Sequence, residues 1–404
     1  MLASPNGPQL KELERNSSNP VPILALLASC NMLQLVLSVQ SAHWSLLRVF
    51  STAFLIGSVC SLWQLQILHD NIHGSLFGRS RPSGRYQWLH KCQDAILFWG
   101  SMPSVFGYYL YLKFGHLTHH KNVGSSDNTL QQAFASPSTT FEDGDLLFVA
   151  HRMKLHGPIG PQMLGKTMSI SRSGFSQWKT GNAVWNGIVF ALSFLFERIM
   201  LVWNDVVVAA TGRNFFFPNK PARFHKDCAR YARVATLVRA AILWVGSWKS
   251  LLYLYLSETL WSIPPHPAAA MFVTNHGSST PDGIDVDDAG MKATLAVPSV
   301  HTDTNDAAGC VPTSSTYAGG WYSILTLNTN FHCEHHDFPR IPLHQLSKLR
   351  KLAPDFYRKG ANDNVFRIMG KAFSSPDFYA CTDVGLLRRE GGDMDNEEPN
   401  DTEA

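Results

Sequence analysis

The sequence predicts an all-α membrane protein, with about four transmembrane helices and a cytosolic-side helical cap that carries a histidine-rich site. Three observations predict it. Charged residues make up only 16% of the 404-residue chain, against about 25% in ordinary soluble chains. Hydrophobic residues make up 45%, yet mean hydropathy is −0.07, so the apolar residues are gathered into blocks offset by polar stretches. Eight of the 17 histidines fall in three short clusters, each at the end of an apolar run. The net charge of +3 comes with no long basic stripe, which argues against a nucleic-acid partner. The seven cysteines are scattered without a CxxC pair, which argues for a reducing compartment rather than a disulfide framework.

In chain order, residues 1–20 are polar and read as a disordered leader. Val21 to Gln40 is a twenty-residue run without a charge, the length needed to cross ~30 Å of hydrocarbon. A second run, Leu46 to Leu68, carries only Arg48 and delivers the chain into His69. These two form a predicted helical hairpin. The basic turn Arg79 to Arg85 belongs on the cytoplasmic side, where Lys and Arg concentrate. Residues 93–112 are apolar but broken by Asp94, Gly100, Pro103 and Gly107. They are expected to dip into the membrane and return, because they end at His116. Residues 122–182 are polar and assigned to the aqueous side. Residues 183–209 are apolar but contain Glu197, Arg198 and Asp205, and lead into a basic stretch from Arg213 to Arg233. A full crossing by 183–209 would put that basic stretch opposite the clusters, against the charge bias. The segment is therefore expected to lie in the interface, with crossings from about 234 to 245 and from about 251 to 273. Residues 277–315, rich in Ser, Thr, Asp and Gly, read as a disordered insertion. Residues 388–404 read as an acidic disordered tail. Residues 21–375 form the expected membrane domain.

The clusters are His69-Asp-Asn-Ile-His73, His116-Leu-Thr-His119-His120 and His332-Cys-Glu-His335-His336. In HxxxH the rings lie one helical turn apart on one face. In HxxHH the first two rings are a turn apart and the third is rotated by about 100°, toward a second ion or the edge of a shared site. Imidazole suits Zn, Fe, Cu and Ni. Eight or nine imidazoles exceed the four ligands of a tetrahedral zinc and would serve two iron ions with open positions. The flanking carboxylates Asp70, Glu334 and Asp337 are candidates to accept a hydrogen bond from the far nitrogen of a ligand ring, orienting it. Asn328, four residues before His332, is a candidate for water-mediated contact. No catalytic residue separate from the metal ligands is expected.

These residues carry a resemblance. The chain resembles the integral-membrane fatty acid desaturase and hydroxylase superfamily, and within it the sphingolipid (dihydroceramide) Δ4-desaturase branch. The likeness rests on HDNIHGSLFGRSRPSGRYQWL, PSVFGYYLYLKFGHLTHHKNVGSSD, HPAAAMFVTNH and LTLNTNFHCEHHDFPRIPLHQLSKLRKLAPDFY. It implies a non-haem di-iron centre held by His69, His73, His116, His119, His120, His332, His335 and His336. A further ligand, His276, stands at the matching place after the last span. It also implies O2 as co-substrate, an acyl or sphingoid lipid substrate, and an external electron donor of cytochrome b5 or ferredoxin type. The endoplasmic reticulum is the implied location, with a plastid membrane as alternative. The chain departs from the branch at Leu117-Thr118 inside the second cluster, at Met271, and at the 277–315 insertion. Two other functional readings stand beside desaturation: a lipid or carotenoid hydroxylase on the same scaffold, and a non-catalytic membrane scaffold.

Overall fold

A computed structural model describes residues 7–15, 20–77, 87–117, 120, 182–214, 221–275, 315–354, 356–357 and 362–374. The described residues are helical and contain no strand. The calls on residues 388–404 and on 277–314 fall outside them.

Helix α1 (Gly7–Arg15) lies within the stretch read as a disordered leader. Its Leu10 and Leu13, one turn apart, are buried among Ile341, Leu343 and Leu346. Helix α2 (Pro20–Gln40) is the first long apolar run. A 3-10 turn at Ser41–His43 reverses the chain into α3 (Leu46–Thr52), whose start is capped by the Ser45 side chain. A π-helical turn at Ala53–Gly57 then joins α3 to α4 (Ser58–His73). The segments Pro20–His43 and Leu46–His73 are each long and apolar enough to cross a bilayer. The second runs one turn beyond the expected end at Leu68, so the first histidine cluster is the last turn of the helix itself.

After α5 (Gln87–Lys91) and α6 (Gln93–Gly100), the chain leaves helical geometry for residues 101–107. It resumes in α7 (Tyr108–Leu110) and a π-helical stretch at Tyr111–His116. Gly100, Pro103 and Gly107 thus interrupt the segment where the sequence indicates. Helix α8 (Ala183–Thr211) has 29 residues and starts at an Asn182 side-chain cap. Helix α9 (Ala222–Val245) begins well before the expected crossing at 234, taking the basic stretch into its first turns. Contacts along α8 run from Ala209 with Arg233, through Asp205 with Arg239 and Leu195 with Tyr255, to Asn186 with Phe373.

The expected single helix over 251–273 is split. Helix α10 (Trp248–Leu260) ends at a run of turns, and α11 (Ala269–Thr274) restarts after it. Pro264, Pro265 and Pro267 supply the reason, since proline lacks the amide hydrogen and clashes with the preceding turn. The remaining elements are α12 (Gly320–Leu325), α13 (His332–Asp337), α14 (Leu343–Leu352) and α15 (Val365–Ser374). One apolar core joins α3, α4, α8, α10, α11 and α15, and a second lies between α2, α4, α6 and α9.

Candidate metal centre

Three elements bring the clusters together. The end of α4 presents His69 and His73, with Gly74 closing the helix in left-handed conformation (φ 72°). The π-helical stretch at Tyr111–His116 presents His116, and His120 follows a turn later. Helix α13 presents His332, His335 and His336. It stops at Phe338, where the following Pro339 disfavours helical backbone. Helix α4 is tied to the approach of the third cluster by the Trp63 indole, which donates to the Leu325 carbonyl at 2.9 Å.

Five rings form one group. The ligand atoms of His69, His73, His116, His120 and His335 all lie within 4.8 Å of one another. The Nε2 atoms of His73 and His116 are 3.1 Å apart, those of His116 and His120 2.9 Å, and those of His120 and His335 3.0 Å. The His69 ring packs 4.4 Å from His116 and 4.3 Å from His335, centroid to centroid. A second group adjoins it through His120. The His336 ring stacks on His120 at 4.1 Å, and His332 lies 4.4 Å from His336. His119 and His276 fall outside the described residues.

Spacing alone pairs the first two rings of each HxxHH. In the second cluster, however, His116 and His120 converge, four residues apart. In the third, His332 and His336 pair while His335 crosses to the five-ring group. Neither the π-helical winding at Tyr111–His116 nor the six-residue length of α13 is visible in local spacing.

The donor set fits a metal. With metal–nitrogen bonds of about 2.1 Å, neighbouring ligand atoms of an octahedral ion stand about 3 Å apart, matching the Nε2 separations. Burial pushes the His335 pKa well below its ordinary value, and the nearby His69, His120 and His73 add to this. The ring is therefore neutral, as a ligand must be. The His335 Nδ1 atom is buried without a hydrogen-bond partner.

The three carboxylates accept from hydroxyl and amide donors. Asp70 accepts from Ser75 Oγ at 2.9 Å and from the Leu343 amide at 3.2 Å, tying α4 to the start of α14. Glu334 accepts from Ser315 Oγ and Tyr317 OH, each at 2.7 Å. Asp337 accepts from Tyr357 OH at 3.0 Å. Burial raises the carboxyl pKa of Glu334 and of Asp337, and these hydroxyl donors partly offset it. Ser315, assigned to the insertion from sequence, is fully buried and also accepts from the Cys333 amide. Asn328 occupies a left-handed turn with Leu327 (φ 65° and 48°), and its amide donates to Ser323 O at 2.7 Å.

Residues 44–367 match the fatty acid desaturase family. The chain belongs to that family. With two bilayer-length helices, the desaturase-family chain is a membrane-associated protein. It is 32% identical over 118 residues to a sphingolipid delta(4)-desaturase DES1-like protein of Oryza sativa subsp. japonica, covering 29% of this chain and 26% of the relative. It is 34% identical over 114 residues to a sphingolipid delta(4)-desaturase of Komagataella phaffii, covering 28% and 26%. Over 33 residues it is 52% identical to the human sphingolipid delta(4)-desaturase/C4-monooxygenase DES2, covering 8% and 10%. The matched segments thus span about a quarter of the length of the first two relatives and less of the third. No solved structure matches.

Proposed function

We propose that this desaturase-family chain is a membrane-bound, O2-dependent oxidoreductase that introduces a double bond into an acyl or sphingoid chain at a non-haem di-iron site. The observation that carries the reading is the convergence of five imidazoles from three separate elements on one point, beside a bundle with two bilayer-length helices. The names of the relatives favour a sphingoid substrate.

In this reading His69, His73, His116, His120 and His335 hold one iron. His332 and His336 serve a second, and His119 and His276 are proposed as further ligands. Two bound irons and dioxygen would supply the oxidising power that no side chain has, because the cofactor carries the hard chemistry. The protein's own work is placement. Glu334, held by Ser315 and Tyr317, and Asp337, held by Tyr357, fix the short third-cluster helix. Burial of His69, His116 and His335 keeps bulk water from the reacting chain. The apolar helices α2 to α4 guide that chain from the bilayer.

We assign residues 21–375 to one membrane domain with four crossings: α2, α3–α4, the apolar part of α9, and α10–α11. The metal centre then lies on the cytosolic side. Electrons come from a separate cytochrome b5-type or ferredoxin-type donor. The endoplasmic reticulum is the proposed location, with a plastid membrane as alternative.

Two measurements test the proposal. Purified protein should carry about two irons per chain, as the donor count requires; a zinc-only or metal-free protein overturns the reading. Yeast expressing the chain should accumulate a new unsaturated lipid, and His335→Ala should abolish it. A hydroxylated product would instead favour the second reading, which the C4-monooxygenase part of the human relative's name motivates.

A further inference from the structure

The non-helical connection between α6 and α7 is buried: Ser101, Met102, Ser104 and Val105 are each less than a tenth exposed. Buried backbone outside a helix needs partners for its amides and carbonyls, and most of all inside a membrane bundle. A single side chain from another helix accepts two of its amides. Glu258, on α10 and 2% exposed, accepts the Val105 amide on Oε1 and the Phe106 amide on Oε2, each at 2.7 Å. Its Oε2 also accepts from Ser104 Oγ at 3.2 Å. From α9, Arg239 donates to the Val105 carbonyl at 3.4 Å while its Nη2 pairs with Asp205 of α8 at 3.1 Å. The Arg198 guanidinium of α8 lies 3.7 Å from the centre of the Phe106 ring.

This connection leads directly into the second histidine cluster. Two residues after Phe106, Tyr108 begins α7, and its hydroxyl meets Ser61 Oγ of α4 at 2.9 Å. The π-helical stretch then carries the chain to His116, whose Nε2 must meet that of His73 on α4. The height and rotation of this stretch against α4 are thus set at the connection, whose held residues 104–106 lie ten to twelve residues before the histidine. We propose that Glu258 is a positioning residue for the metal centre: by holding the 104–106 backbone it aims His116 and His120 at the first-cluster histidines. A carboxylate suits the task because it accepts on both oxygens and carries no donor. Glutamine would turn one amide group against a backbone N–H.

The inference rests on the metal reading proposed above, and iron binding separates the two. Full-length wild-type protein and Glu258→Gln, Glu258→Asp and Leu254→Ala variants are purified in detergent and titrated with Fe(II). Bound iron is counted and thermal unfolding is followed. Leu254 lies on the same helix and is 1% exposed, so its truncation controls for general destabilisation. Glu258→Gln should weaken Fe(II) binding by about tenfold or more, as loss of a supporting partner does at other metal sites. Leu254→Ala should retain wild-type binding even where its unfolding temperature falls further, and Glu258→Asp should recover part of the loss. If Glu258→Gln does not fold, Ser104→Ala replaces it. That variant removes one donor to the carboxylate and should weaken binding in the same direction but less. Equal binding by wild type and the Glu258 variant, or iron loss that tracks stability in Leu254→Ala as well, overturns the inference. A wild-type chain that binds no iron overturns the di-iron reading instead.

Discussion

At the scale of single residues, the support around the third cluster is a set of buried hydroxyl–carboxylate bonds. Glu334 is fully buried and takes one hydroxyl on each oxygen. Removing one donor from a buried carboxylate leaves an acceptor without water or partner, which costs about 1–3 kcal/mol. Tyr317→Phe should therefore lower stability by about that amount, read as a drop in unfolding temperature of the metal-free protein. The ring itself would remain packed under Arg350, whose guanidinium sits 3.4 Å from its centre. Asn328 tests a different property. Its φ of 65° suits asparagine or glycine but not a β-branched side chain. Asn328→Gly should leave metal-free stability nearly unchanged, whereas Asn328→Val should cost about 1–3 kcal/mol. Equal effects of the two substitutions would contradict the backbone account.

At the scale of elements, two helix contacts stand out. Gly57, in the π-helical turn, faces α10 so closely that a Cβ there would overlap Ser257 Oγ. Gly57→Ala should destabilise by about 1–3 kcal/mol through overpacking. Ser257→Gly opens the same space, so the double variant should cost less than the sum of the two, a coupling expected only for residues in contact. The second contact is the Arg239–Asp205 pair between α8 and α9, with both side chains less than a tenth exposed. Removing one partner of such a pair strands the other charge and costs about 3–5 kcal/mol, whereas replacing both with apolar residues is far milder. Arg239→Met alone should thus unfold at lower temperature than Arg239→Met combined with Asp205→Leu. Neither contact is readable along the chain. Gly57 appears as one more small residue in an apolar run, and Arg239 as a charge inside a short expected crossing.

For the whole molecule, what was legible in the sequence was local and repeated. Three histidine clusters, the two long apolar runs and the breakers at Gly100, Pro103 and Gly107 all announce themselves by spacing. What was not legible depends on partners far away in sequence. Leu10 and Leu13 are buried against α14, more than 300 residues later. Glu258 looks like an odd charge in an apolar helix until its partners, about 150 residues earlier, are in place. Ser315, the last residue of the expected insertion, is held by Glu334 and Cys333 in the same way. That boundary has a consequence for the chain as a whole. Thr274 and Thr316 share a hydrogen bond of 2.8 Å between their side-chain hydroxyls, both buried, and the Thr316 amide donates to Asn330 O at 2.8 Å. The two ends of the intervening stretch are therefore fastened to each other and to the turn before the third cluster. A linker of a few residues should therefore suffice between these fastened ends. Shortening a closed loop from roughly 40 residues to about six lowers its closure cost by about 1.5 kcal/mol, by the logarithmic dependence on length. A chain with residues 277–314 replaced by such a Gly/Ser linker should fold with equal or higher unfolding temperature and bind Fe(II) as the full chain does. Loss of folding would mean that the replaced residues contribute to the core, and loss of iron alone would place part of the metal site among them.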